Sequence, residues 1–271
     1  MVSVHRPDVC AASPGKSSRF EALLARDPGS RYAALALRHR IFAGEMGAKL
    51  RSPYPGLDWD ELDPLCDHLI VRERRSDAVV ATTRLFPHHR ARLYGRFYSE
   101  GEFDLGPVLR LPGRFLEVGR TCVDSSQRGG VALISLWNVL AEYASEGGYD
   151  YLMGCASIPP GPGGYAVDAV KRQIGADNWS PEQLRVQPVT PVPDELRCTR
   201  DESGIPPLLR AYLRFGAWVC GEPCWDPHFN VMDFFVLLPI ERLQSHYARR
   251  FPGKRPDFLH SGNRDLANAL A

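Results

Sequence analysis

The sequence predicts an α/β fold, a mixed central sheet flanked by helices, on three observations. Two strand-like runs, His68 to Arg74 and Val79 to Phe86, flank a tight connection, Arg75-Ser76-Asp77, and read as a hairpin. From Phe115 onward, strand patterns alternate with helical ones. Between these halves lies FLEVGRTCVDSSQRGGVA, Phe115 to Ala132, which begins as a strand, turns polar after Val123 and enters a helix through Gly129-Gly130.

The elements follow in chain order. Residues 1–18 are rich in Ser, Pro, Gly and Ala, lack an apolar stretch of signal-peptide type and read as a mobile tail. Phe20 to Ala25 reads as a short helix. Tyr32, Leu35, Leu37, Ile41 and Phe42 mark a longer amphipathic helix, with Arg38 on or beside its apolar face and Gly44 and Gly47 ending it. An acidic loop follows, carrying Asp58, Asp60, Glu61, Asp63 and Asp67. After the hairpin, residues 87–114 form a basic, then aromatic, connection. Val131 to Ser145 has a helix-spaced apolar face at Val131, Ile134, Trp137, Leu140 and Ala144, closed by Gly147-Gly148. Tyr149 to Cys155 is strand-like, Tyr165 to Ile174 helical, 177–205 weakly patterned, Leu208 to Val219 helical after Pro206, and Met232 to Leu238 the last clear strand. Glu241 to Arg250 reads as a basic helix and 253–271 as a loose tail. No linker divides 19–252, so one domain is expected there.

Hydrophobic residues make up 44% of the 271 and charged residues 24%, an ordinary globular balance, and a net charge of +1 gives no signal for nucleic acid. Seven cysteines, odd in number and irregularly spaced, point to reduced thiols and a cytoplasmic setting. No apolar run is long enough to span a membrane. Peripheral contact with an anionic inner membrane, through basic residues such as Arg249, Arg250, Lys254 and Arg255, stays open.

The strand–glycine turn–helix unit suits a phosphate: free N–H groups at a helix start point outward, and the helix dipole favours negative charge there. Arg128, Gly129, Gly130 and Val131 are the residues at that turn. Glu117, three residues before Arg120, is a carboxylate on the feeding strand and a candidate proton acceptor. A structural ion pair of Glu117 with Arg120 or Arg84 is the competing reading. Cys122 and Cys155 sit in apolar strand contexts and read as buried thiols, and His68 as a hydrogen-bonded structural histidine. Cys220, Cys224 and His228 lie close in sequence but lack the paired spacing of a zinc site, so no metal is expected. Phe42, Phe97, Tyr98, Phe103 and Trp137 read as core or as the lining of an apolar tunnel.

A collinear set of segments carries a family resemblance: Arg38-x3-Phe42, CDHLIV at Cys66 to Val71, TTRL at Thr82 to Leu85, FYSEGEFDL at Phe97 to Leu105, LEVGRTCV at Leu116 to Val123, RGGVALISLW at Arg128 to Trp137, and YLMGCAS at Tyr151 to Ser157. The chain resembles the ornithine N-alpha-acyltransferases, which make lyso-ornithine lipid. That family is similar to the acyl-homoserine lactone synthases, and both belong to the GNAT superfamily. The resemblance implies a GNAT-like fold and transfer of a (3-hydroxy) fatty acyl group from acyl carrier protein to the α-amine of ornithine. The donor would be the phosphopantetheine thioester, with no further cofactor. The resemblance places Arg38, Phe42, Arg84 and the Glu117/Arg120 pair in the site. Arg84 and Arg120 would hold the acceptor's carboxylate, and Asp63 or Asp67 a side-chain ammonium. A tryptophan expected soon after Phe42 is missing, and the spacing of Asp63 and Asp67 differs, both against lactone synthesis. Another acceptor such as glycine, an acyl-CoA donor, an acyl-homoserine lactone synthase-like enzyme, or a non-catalytic carrier- or lipid-binding module remain as alternatives.

Overall fold

The computed structural model describes residues 19–128, 130–198 and 204–243. The two expected tails, the basic helix beyond residue 243 and Gly129 lie outside the described residues. The chain opens with β1 (Phe20–Leu24) and α1 (Pro28–His39), which runs on into a π-helical turn, Arg40–Glu45. The hairpin is β2 (Asp67–Glu73) and β3 (Val79–Pro87). The basic–aromatic connection holds α2 (His88–Tyr94), a 3-10 turn over Tyr98–Gly101, β4 (Phe103–Asp104) and α3 (Gly106–Leu109). Then come β5 (Phe115–Val123), α4 (Val131–Glu146), β6 (Tyr151–Ile158) and α5 (Val167–Gln173). The last part comprises β7 (Gln187–Pro188), α6 (Pro207–Arg214), β8 (Trp218–Val219), β9 (Cys224–Asp226) and β10 (Val231–Pro239).

The central sheet has the order β1-β2-β3-β5-β6-β10-β8, with β9 also on β10. Every described pairing in it is antiparallel except β5 with β6, which α4 connects. Side-chain alternation assigns the two faces. Leu69 and Val71 of β2 join the core under α4, while Ile70 between them packs with Ala34 of α1. Helices on both faces explain why β3 and β10 are buried almost throughout.

Two expectations are corrected, and one strand is added. Phe20–Leu24 is a strand, because full pairing with β2, Phe20↔Glu73 to Leu24↔Leu69, outweighs the helix propensity of a Glu-Ala-Leu run too short to show a period. The helix from Pro206 stops at Arg214. Gly216 adopts φ +87°, and Trp218 and Val219 pair with β10 instead. The strand Cys224–Asp226 had too few residues to announce itself.

Candidate active site

β5 and β6 pair only from Phe115↔Tyr151 to Glu117↔Met153. Beyond that point the strands part. Gly154 marks the fork: a β-carbon there would lie 2.2 Å from the Val118 carbonyl oxygen, so only glycine lets β6 pass so close to β5. Past the fork lies a cavity of about 180 Å³ whose walls include Phe42, Arg84, Tyr98, Glu102, Glu117, Arg120, Cys155, Tyr212, Asp226 and Asp233.

Glu117 and Arg120 are an odd number of residues apart, and a regular strand would place them on opposite faces. A β-bulge changes this. Thr82 faces Cys122 and Arg84 faces Gly119, so β5 carries one residue more than β3 across that interval. Arg120 takes the left-handed conformation, φ +51°, which is unfavourable for a side chain and is held here by its partners. The bulge reverses the alternation. Leu116 and Val118 face α4, but Cys122 packs with Leu37 and Ile41 on the α1 side. Arg120 thereby joins Glu117 in the cavity wall.

The acidic loop meets three arginines. Arg38, which the sequence left between a pocket-edge and a solvated role, is fully buried. It donates to Asp58 at 2.8 Å and to Asp63 at 2.6 Å. Arg84 Nη1 donates to both Asp60 oxygens at 2.6 and 2.7 Å and reaches Asp63 at 3.3 Å. Arg120 lies 3.3 Å from Asp58 and 3.4 Å from Asp60. Its guanidinium stacks over Tyr98 and Phe229, 5.0 and 4.5 Å from the ring centroids. Burial opposes ionisation of Asp63, but Arg38 and Arg84 outweigh it and hold its carboxyl down at about 2. Three cations thus face three anions in a network that is internally neutral.

Glu117 is buried and forms an ion pair with neither Arg84 nor Arg120. Instead the Tyr98 and Ser99 N–H groups donate to its two oxygens at 2.7 Å each, and the Ser99 hydroxyl donates to Oε1. Burial pushes its carboxyl up, against the pull of these hydrogen bonds and of Arg84. Three of about four acceptor positions are filled, and the last, on Oε2, is left for a reactant or water.

A second carboxylate group, which the sequence reading did not single out, also lines this cavity. Oxygens of Glu102, Asp226 and Asp233 all lie within 4.8 Å of one another. Burial raises Glu102 to about 7 and Asp233 well above the ordinary range. The available signal was Asp233 itself, an acid inside the otherwise apolar run Val231–Pro239.

The other anticipated residues lie as follows. Phe42 lines the cavity, 5.6 Å from Phe229 ring to ring. Asp67 is outside the network, accepting from Tyr143 Oη at 2.7 Å and pairing with Arg90 at 3.0 Å. Gly130, φ +91°, precedes α4, and no side chain caps that helix start. Arg128 is held beside it by Glu45 of the π-helical turn, and Val131 is exposed. None of these three lines the 180 Å³ cavity. Tyr98 lines it too, Trp137 lines a smaller space of about 20 Å³ under α4, and Phe97 and Phe103 are core. Burial raises the Cys122 thiol to about 12 and the Cys155 thiol well above its ordinary value. It lowers His68 to about 4, leaving a neutral ring beside Asp63. Among the described residues Cys220, Cys224 and His228 do not converge; His228 pairs with Arg51 at 2.9 Å. No helix among the described residues is long and apolar enough to cross a membrane.

Comparison with known proteins agrees with this architecture. The acetyltransferase (GNAT) domain model matches residues 37–138. The solved structure of the CoA-dependent acyl-homoserine lactone synthase BjaI superposes with a TM-score of 0.51 over 93% of this chain and 99% of its own, at 16% identity, a likeness of fold. The L-ornithine N(alpha)-acyltransferase of Rhodobacter capsulatus is 34% identical over 87% of this chain and 97% of its own length. That of Rhizobium meliloti is 33% identical over 88% and 86%. An acyltransferase fold opened at the β5–β6 fork and likeness to these enzymes over most of the chain lead to one assignment: the chain belongs to the L-ornithine N(alpha)-acyltransferase family, with a GNAT domain matched over residues 37–138.

Proposed function

We propose that this chain moves a 3-hydroxy fatty acyl group from the phosphopantetheine thioester of acyl carrier protein to the α-amine of L-ornithine, forming lyso-ornithine lipid. The observation that carries the proposal is the bulge that puts Glu117 and Arg120 on one wall of the cavity at the β5–β6 fork, in a chain of this family. The relatives' names supply the acceptor; the donor and product are expectations of the same chemistry.

In this mechanism the α-amine attacks the thioester carbonyl directly, and the thiol of the donor leaves from the tetrahedral intermediate. The attacking amine must lose its proton. Glu117 accepts it, directly or through water, at the one open position on Oε2. Burial keeps this carboxyl's affinity for a proton above that of a free glutamate. Arg84 and Arg120 present guanidinium edges to the acceptor's carboxylate. The uncapped start of α4, with Arg128, Gly129, Gly130 and Val131, receives the donor's phosphate. Arg38, and with it Asp63, holds this wall in place from behind.

The test is turnover with 3-hydroxyacyl carrier protein and a panel of amino acids, with products read by mass spectrometry. N-acylornithine is the expected product, and Glu117→Gln is expected to lower kcat by about 100-fold or more. Product with glycine alone moves the acceptor. An acyl-CoA that serves as well as the carrier protein moves the donor. Carrier-protein binding without turnover on any amine overturns the enzyme reading.

A further inference from the structure

The acceptor's second charge has no receptor among the residues first nominated for it. Both Asp63 oxygens are taken by arginines and by the Asp60 N–H, and Asp67 is engaged by Arg90 and Tyr143 outside the cavity. The cavity's three-arginine network is already balanced by Asp58, Asp60 and Asp63. Glu102, Asp226 and Asp233 have no such balance: none of the three forms an ion pair with an arginine or lysine among the described residues. Their oxygens converge within 4.8 Å. Glu102 Oε2 is buried and has no hydrogen-bond partner, an unmet acceptor in the wall of a cavity where Arg120 Nε is the other lining atom left without a hydrogen bond among the described residues. Asp233 is itself buried, bonded on Oδ1 by the Ser157 hydroxyl at 2.6 Å. Asp226 uses Oδ1 for the His228 and Phe229 N–H groups.

We propose that Glu102, Asp226 and Asp233 form the receptor for the side-chain ammonium of a diamino acid acceptor, and so set the enzyme's preference for a cationic over a neutral amino acid. The inference rests on the acyl-transfer reading above and assigns the acceptor's orientation within it. An ammonium group offers three donors and no acceptor, one donor for each of the three carboxylates. Three N–H···O bonds of about 2.8 Å in tetrahedral directions hold their oxygens about 4.6 Å apart, which the observed spread accommodates. A divalent metal would draw its oxygens to about 2.1–2.6 Å from its centre and demand more of them. The receptor and Glu117 are joined through shared neighbours. Ser99 Oγ donates to Glu117 and lies 3.3 Å from Cys155 Sγ, and Cys155 in turn borders Glu102. An amino acid anchored by its terminal ammonium therefore presents its other end toward Glu117 and Arg120. That orientation selects the α-amine over the side-chain amine for acylation. Burial pushes Glu102 and Asp233 to hold protons when the site is empty, and the incoming positive charge opposes that push.

The experiment compares ornithine with norvaline, which has the same carbon chain but no side-chain nitrogen, in the full-length wild type and in Glu102→Gln, Asp233→Asn and Asp226→Asn. The readout is the ratio of kcat/KM for the two acceptors. Wild type is expected to favour ornithine by at least 100-fold, and Glu102→Gln or Asp233→Asn to cut that ratio at least tenfold, mainly through the KM for ornithine. Equal losses on both acceptors overturn the inference. So does wild-type activity abolished by EDTA and restored by a divalent ion, which makes the cluster a metal site. Should a variant fail to fold, the wild type still decides: ornithine must raise its Tm more than norvaline does, and equal shifts overturn the proposal. A wild type that acylates no amino acid fails the underlying reading instead, and that outcome is visible before any variant is compared.

Discussion

Arg38 Nη1 sits 2.6 Å from Asp63 Oδ1, and both side chains are buried. Removing one member strands the charge of the other in the protein interior. Asp63→Ala is expected to lower the unfolding free energy by about 3–5 kcal/mol, read as a lower urea midpoint at an unchanged slope. Because the folded-state pKa of Asp63 is depressed from 3.8 to about 2, its contribution is complete above the unfolded value and disappears as pH falls from about 4 toward 2. A midpoint shift worth less than about 1 kcal/mol would show the network to be dispensable.

The Glu102 carboxyl has the opposite sign. Burial, with Asp226 adding repulsion and Cys155, Tyr98 and Arg120 opposing it, raises the group from 4.5 to about 7; Asp233, also raised, faces it across the cluster. Between those values the folded chain holds a proton that the unfolded chain has lost, so stability falls as pH rises through the window. Glu102→Gln removes that dependence. Its Tm relative to wild type is expected to rise from pH 5 to pH 7, and a constant difference across the range would mean an ordinary carboxyl.

Gly154 is tested by a single methyl group. The added β-carbon of Gly154→Ala meets the backbone oxygen of Val118, which cannot rotate away. A loss of about 1–3 kcal/mol is expected from overpacking, together with weakened donor binding as the fork is distorted. Unchanged stability and turnover would show that β6 can retreat from β5 at no cost.

Arg120 can be separated from bulk charge effects by the acceptor itself. Putrescine is ornithine without its carboxylate. Arg120→Lys keeps the positive charge but loses the planar fork and the stacking between Tyr98 and Phe229. The ratio of kcat/KM for ornithine over putrescine is expected to fall about tenfold or more, consistent with losing a bidentate charged contact. An unaltered ratio would place carboxylate recognition elsewhere.

The sequence was most readable where a pattern was long. The β2–β3 hairpin, β5, α4 and β10 follow from periodicity and composition, because a strand or helix of seven or more residues repeats its signal. β1 and β9, with five and three residues, take their identity from the neighbour they pair with. The site divides the same way. The acidic loop and its arginines were visible as charges, but not which of them meet: Asp58 and Asp60 join the network and Asp67 does not. Glu102 and Asp226 sit in loop-rich stretches where a carboxylate is unremarked. They meet Asp233 through the pairing of β9 with β10 and through the 3-10 turn that Glu102 follows, neither of which a local pattern announces.

The supernumerary residue in β5 also bears on how this family can vary. Point substitutions in the cavity wall change one side chain and leave the ladder intact. A one-residue deletion between Gly119 and Cys122 would restore an unbroken ladder with β3 and, by parity, carry Arg120 toward the α4 face, away from Glu117 and the acidic loop. Acceptor preference in this scaffold is therefore open to drift by substitution. The length of this strand, in contrast, is tied to the chemistry, and homologues that change it should have changed their reaction or lost it.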